Sequence, residues 1–135
     1  MKRVPFILLL SMIVFSVTPA CKKSSGGGTA EASLVVEITP AAGTTEAPAP
    51  GPDFPLKVEV KSTMPPSGVK IDVTAKKDGS ADPAFFTSSK NSSASQNNYT
   101  ITGTPATVIC IVSVTVTSLS KPSNVWTGSY RYSKK

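Results

Sequence analysis

The chain has no histidine. That removes the side chain most used as a catalytic base near neutral pH, and with it the commonest ligand of transition metals. Cysteine is nearly absent, with Cys21 and Cys110 the two examples, so no disulfide framework can be built and the fold has to be held by packing. Aromatic residues make up 7% of the chain, which leaves few rings to fill an interior. No segment repeats its apolar residues at the helical period. The net charge is +6, yet the basic residues are interspersed with acidic ones, as in Lys57, Glu59 and Lys61. A clustered Lys/Arg stripe is missing, so no nucleic-acid partner is expected.

What is present begins with an address label. Met1-Lys2-Arg3 is basic, Val4 to Val17 is almost wholly apolar, and Thr18-Pro19-Ala20 supplies small residues before Cys21. A basic start, a short apolar run and a small-residue site are the parts of a cleavable secretory signal. The run falls short of the roughly 20 residues that a membrane-spanning helix needs. Residues 1–20 are therefore read as signal peptide.

Thr18-Pro19-Ala20-Cys21, followed by Lys22-Lys23-Ser24-Ser25, resembles the lipobox of bacterial lipoprotein precursors. The departure is Thr18, where that motif prefers Leu. The resemblance implies a diacylglycerol thioether on Cys21, cleavage just before it and acylation of the new amine, commonly with palmitate. It also implies attachment to the membrane in the cell envelope, with the outer membrane as the expected location. An ordinary signal cut near Ala20 would instead release a soluble secreted protein. Two or more acyl chains hold a protein stably on a bilayer, each buried methylene contributing about 0.8 kcal/mol.

Residues 21–32 carry the lipidated cysteine and a tether. From Lys22 the segment reads Lys-Lys-Ser-Ser-Gly-Gly-Gly-Thr-Ala-Glu-Ala, a flexible composition with nothing bulky to bury. Residues 33–135 are then one domain of ordinary size. Leu56, Val58 and Val60 alternate with Lys57, Glu59 and Lys61, and Val69, Ile71, Val73 and Ala75 alternate with Lys70, Asp72, Thr74 and Lys76. Such alternation marks half-buried antiparallel strands. Thr107 to Ser118 is the longest candidate, apolar on both faces at its start, and reads as a central strand enclosed there. Leu34–Thr39, Ala84–Ser88, Asn98–Thr102 and Val125–Tyr132 complete about seven strands. Turn compositions separate them, Pro40 to Pro55 is an extended connection with room for an edge segment, and Thr87 to Asn98 is a polar loop. The class is all-β, a single sandwich.

Tyr99-Thr100-Ile101-Thr102-Gly103, followed by the Val108–Val116 strand, resembles the later strands of immunoglobulin-like and fibronectin type III modules. The resemblance implies an immunoglobulin-like topology, although the domain has no cysteine pair and no tryptophan in its early strands.

No catalytic constellation is legible. The serines at 88, 89, 92, 93 and 95 lack an elbow motif. Asp78-Gly79-Ser80-Ala81-Asp82 lacks the oxygen series of a calcium loop, so neither metal nor cofactor is expected, and Cys110 among valines and isoleucines reads as a small core residue. The candidates for binding are aromatic. Trp126, Tyr130 and Tyr132 share one strand face with Gly128, while Phe85-Phe86 should bury one ring and expose the other. Exposed rings would suit a sugar or an apolar ligand; buried ones would simply fill the interior. The functional expectation is a non-enzymatic envelope lipoprotein that binds a glycan or another envelope protein, the alternative being a scaffold that assembles with protein partners through its sheet edges.

Overall fold

The computed structural model of the protein describes residues 30–135. The expected signal peptide over 1–20, Cys21 and the tether as far as residue 29 lie outside the described residues. Seven strands follow in order: β1 (Val36–Thr39), β2 (Phe54–Val60), β3 (Val69–Lys77), β4 (Phe86–Ser92), β5 (Gln96–Ile101), β6 (Ile109–Ser118) and β7 (Val125–Ser133). All pairings are antiparallel, in a three-stranded sheet β1-β2-β5 and a four-stranded sheet β4-β3-β6-β7. This is an all-β sandwich. The sheet β1-β2-β5 forms one layer and the sheet β4-β3-β6-β7 the other.

Alternation explains the two-layer arrangement. Val36 and Ile38, Leu56, Val58 and Val60, Val69, Ile71, Val73 and Ala75, and Cys110, Val112, Val114 and Val116 are all buried, while the residues between them are half-buried or exposed. One parity of each strand therefore enters a single shared core. Each fully buried valine, leucine or isoleucine contributes about 1.5–3 kcal/mol over leaving it exposed. Cys110 is part of this core, and burial pushes its thiol pKa up against the opposing pull of Lys77.

Connections set the ends. Gly68 closes the β2–β3 link at φ 81°, and a Cβ there would lie 2.5 Å from the Ser92 carbonyl oxygen; only glycine meets both conditions cheaply. At the same pole Asn124 grips the incoming chain. Its Nδ2 donates to Glu31 Oε1 at 2.6 Å and to the Ala32 carbonyl at 2.9 Å, and its Oδ1 accepts from Leu34 N at 2.9 Å.

Three details differ from the sequence reading. Thr87 to Asn98 is not a loop: it supplies most of β4, the start of β5 and the short switch between the sheets. β4 is an edge strand whose inner face is only half covered, so its sequence need not alternate. The start of β6 is not enclosed on both faces. Ile109 is 55% exposed and Ile111 half-buried, because no described element covers the outer face of the four-stranded sheet. Phe85 and Phe86 do not divide into one buried and one exposed ring; both are partly buried against the core.

Candidate binding site

The site originates in a proline. Val60 N donates towards β5, to the Ser95 carbonyl, whereas Lys61 N donates to the Val35 carbonyl on the β1 side. Residues alternate along an antiparallel strand, so Phe54, Leu56 and Val58 also address β5, and Pro55, Lys57 and Glu59 address β1. The last β1 partner is Thr39, opposite Lys57. Pro55 thus turns its missing N–H towards the place β1 has already left, and its position in β2 costs no ladder bond.

Beyond Thr39 the chain crosses to the other sheet. Gly43 N, Glu46 N and Ala49 N donate to the carbonyls of Ser129, Arg131 and Ser133, and Arg131 N donates to the Thr44 carbonyl. The segment runs parallel to β7, with bridges from Thr45 to Arg131 and from Ala49 to Lys134. It closes the β7 edge but leaves a gap beside β2.

A cavity of about 500 Å³ occupies that gap. Leu56, Phe54, Ala49 and Pro40 give it apolar walls, and Glu46, Lys57, Asn98 and Thr100 contribute polar groups. Tyr130 and Tyr132 lie at its buried side, 2% and 3% exposed. Tyr132 tilts against Phe54 with ring centroids 4.6 Å apart, and its hydroxyl shares a 2.7 Å hydrogen bond with Thr104. Among the described residues the buried side-chain atom without a hydrogen-bond partner is the hydroxyl of Tyr99, which also lines the cavity. Tyr130 is the more deeply buried of the two residues. Burial raises the pKa of Tyr130 well above the ordinary tyrosine value, with Tyr132 and the Glu46 carboxylate adding to the effect. It is therefore protonated throughout the physiological range. The single proton of the Thr44 hydroxyl lies between two acceptors, the Ala41 carbonyl at 2.7 Å and Glu46 Oε1 at 2.9 Å. Lys57 is occupied by Glu59 at 3.1 Å, and Lys61 and then Lys57 hold the Glu59 carboxyl below its usual range.

Of the four aromatic candidates, the fold brings Tyr130 and Tyr132 to the cavity. It leaves Trp126 near the start of β7, half-buried over Gly128, and Phe86 on β4, opposite Ala75. Sequence reasoning did not find Glu46, Lys57, Asn98 or Thr100. The available signal was Pro55 inside an otherwise alternating run, which marks where a neighbouring strand departs.

Elsewhere the polar side chains are engaged with each other. Arg131 Nε donates to Asp78 at 2.6 Å, Lys77 pairs with Asp82 at 3.2 Å, and Ser89 donates to Asp72 at 2.6 Å. Asp78 and Asp82 thus serve as ion-pair partners at the end of the β3–β4 hairpin. A shallower polar depression lies on the outer face of β6 and β7, between Ser113, Thr115, Thr127 and Ser129. What the main cavity offers is recognition: apolar walls, the tyrosines Tyr99, Tyr130 and Tyr132, and an exposed carboxylate, Glu46. No family model and no curated relative matches the chain.

Proposed function

We propose that this chain is a lipid-anchored, non-enzymatic binding protein of the bacterial cell envelope, held on the outer membrane through acylated Cys21. Its ligand, an envelope glycan or protein, occupies the cavity beside Tyr130. The observation that carries this reading is polarity. The chain enters the domain at the pole where Asn124 holds Leu34, whereas the cavity lies towards the far ends of β1 and β7. Five to seven residues of β7 separate Val125 from Tyr130 and Tyr132, about 20 Å at the rise of a strand. Nine residues from Cys21 to Ala30 reach at most about 30 Å, so the lipid would join the domain at the pole opposite the cavity and leave the cavity's side free of the attachment.

Edge-mediated scaffolding is the weaker reading. β4 and β5 have free edges, but β4 carries exposed Lys90, a residue that discourages pairing at an edge.

Membrane fractionation and protease shaving of intact cells test the proposal, comparing wild type with Cys21→Ala. Membrane attachment of wild type that is lost in the variant, with the wild-type domain shaved from outside, is the expected result. Unchanged attachment of Cys21→Ala overturns the anchor. Full protection of an attached wild type places the domain inside the envelope and overturns its display at the surface.

A further inference from the structure

The two sheets differ in width, and the difference leaves a lane unfilled. The β1-β2-β5 sheet has three strands and its partner four. β3 is fully covered, with Val69, Ile71, Val73 and Ala75 each 0% exposed. Their neighbours on the same face of β4 are Ser92, Lys90, Ser88 and Phe86, which are half-buried or, at Lys90, exposed. β4 therefore overhangs the smaller sheet, beside the free edge of β5. A Cβ on Gly103, just past β5, would lie 3.8 Å from the Phe85 carbonyl oxygen. Phe86 thus sits at the Ile101 end of β5, and Lys90 towards the Gln96 end.

That edge is open to pairing. Val60 N donates to the Ser95 carbonyl, so Asn97, Tyr99 and Ile101 exchange backbone bonds with β2. Gln96, Asn98 and Thr100 turn their N–H and C=O groups the other way, where no described strand or loop bonds to them. Edge strands are ordinarily protected by charged side chains, proline or a bulge. Gln96–Ile101 contains no charged residue and no proline. Lys90, facing the same lane from β4, has no ion-pair partner among the described residues.

We infer that β5 takes up an extended segment of a partner protein as a fourth strand, lying across the overhang of β4. Backbone bonds to Gln96, Asn98 and Thr100 supply affinity, and alternate side chains that face β4 supply specificity. Those side chains are an apolar residue over Phe86, a small one over Ser88 and an acidic one over Lys90. Antiparallel pairing, the more stable kind, sets that order from the segment's N-terminus. A second copy of this chain does not fit, because its own β4 would need the space that this β4 fills. The inference rests neither on the cavity nor on the lipid anchor.

Nuclear magnetic resonance on the full chain in detergent tests it. The probe is acetyl-Val-Thr-Ser-Thr-Glu-Thr-amide, and the control is the same peptide with lysine in place of glutamate. The acidic peptide should shift the amide signals of Gln96, Asn98 and Thr100 and slow their hydrogen exchange. It should bind at least about tenfold more tightly than the lysine peptide. Asn98→Pro should abolish binding yet fold, since proline is tolerated on an edge whose N–H faces solvent; circular dichroism and thermal melting confirm the fold. Lys90→Glu should reverse the preference between the two peptides. Equal affinity of the two peptides for wild type, or wild-type affinity in the folded Asn98→Pro variant, overturns the inference. So does the absence of any shift in millimolar peptide. Protection of the same amides that grows with protein concentration, without peptide, overturns it in favour of a second copy. Each of these outcomes leaves the cavity ligand and the anchor at Cys21 to their own test.

Discussion

Trp126 lays its indole across Gly128, two residues further along the same face of β7, so closely that a Cβ on Gly128 would meet the ring at Cζ2 2.8 Å away and Cζ3 3.1 Å away. The glycine is needed for space, since its backbone is that of an ordinary strand. The indole in turn packs on the core and covers that end of the sheet.

Gly128→Ala should therefore displace the indole. Because Trp126 is the chain's single tryptophan, its emission should shift to longer wavelength while the β-sheet circular dichroism signal stays unchanged. The stability cost should be about 1–3 kcal/mol, as for other overpacked sites. Unchanged emission would mean that the ring does not rest on residue 128.

The shared bond between Thr104 and Tyr132 permits a double-mutant cycle. Thr104 is 5% exposed and Tyr132 3%, so neither hydroxyl finds water readily when the other is removed. Thr104→Val or Tyr132→Phe should each cost about 1–3 kcal/mol in urea unfolding. The double variant should cost less than the sum of the two, because it leaves no orphaned hydroxyl. Strict additivity would show that the two groups do not interact.

How much of this was legible beforehand depended on whether local pattern and burial coincide. β2, β3 and β6 could be read from alternation because one face of each enters the core. β4 could be read only at its start, within Ala84–Ser88: an edge strand with a half-covered inner face tolerates Ser89-Lys90-Asn91, which reads as loop. The aromatic face of β7 was visible as a stripe, but its fate was not. Tyr130 and Tyr132 reach the cavity, and Trp126 packs on Gly128, through the path taken by residues 40–53 and the arrangement of the two sheets. The cavity was invisible for the same reason. Glu46, Lys57, Asn98 and Tyr130 are remote in sequence, and only the departure of β1 at Thr39 brings them together.

Tyrosine burial predicts alkaline instability. Desolvation raises the pKa of Tyr130, Tyr132 and Tyr99 above the ordinary value of 10.0 in the folded state. Below pH 10 both folded and unfolded chains keep these protons, and the full stability is present. Above pH 10 the unfolded chain loses protons that the folded chain retains, so stability falls as pH rises, by up to about 1.4 kcal/mol per pH unit for each tyrosine. Urea midpoints should be level near neutrality, as far as these groups are concerned, and decline from about pH 10. Tyr130→Phe should make that decline shallower. An unaltered slope would show that Tyr130 titrates like a free tyrosine.

Asn124 makes the last testable contribution, at the pole where the chain enters. Its amide engages Glu31, Ala32 and Leu34 at once, while its own backbone N–H donates to the Lys121 carbonyl and its carbonyl accepts from Ser118 N. Removing the side chain leaves those backbone bonds available but releases residues 31–33. Leu34 is 7% exposed and keeps its place by burial. Asn124→Ala should thus cost about 1–2 kcal/mol, with a sharper local effect: limited proteolysis should cut at residues 31–33 faster in the variant, while the rest of the domain resists. Glu31→Gln separates the parts, because it keeps an acceptor for the Asn124 amide and should leave cleavage at the wild-type rate. Cleavage as fast in wild type as in Asn124→Ala would show that the clamp does not hold, and that free chain continues to Leu34.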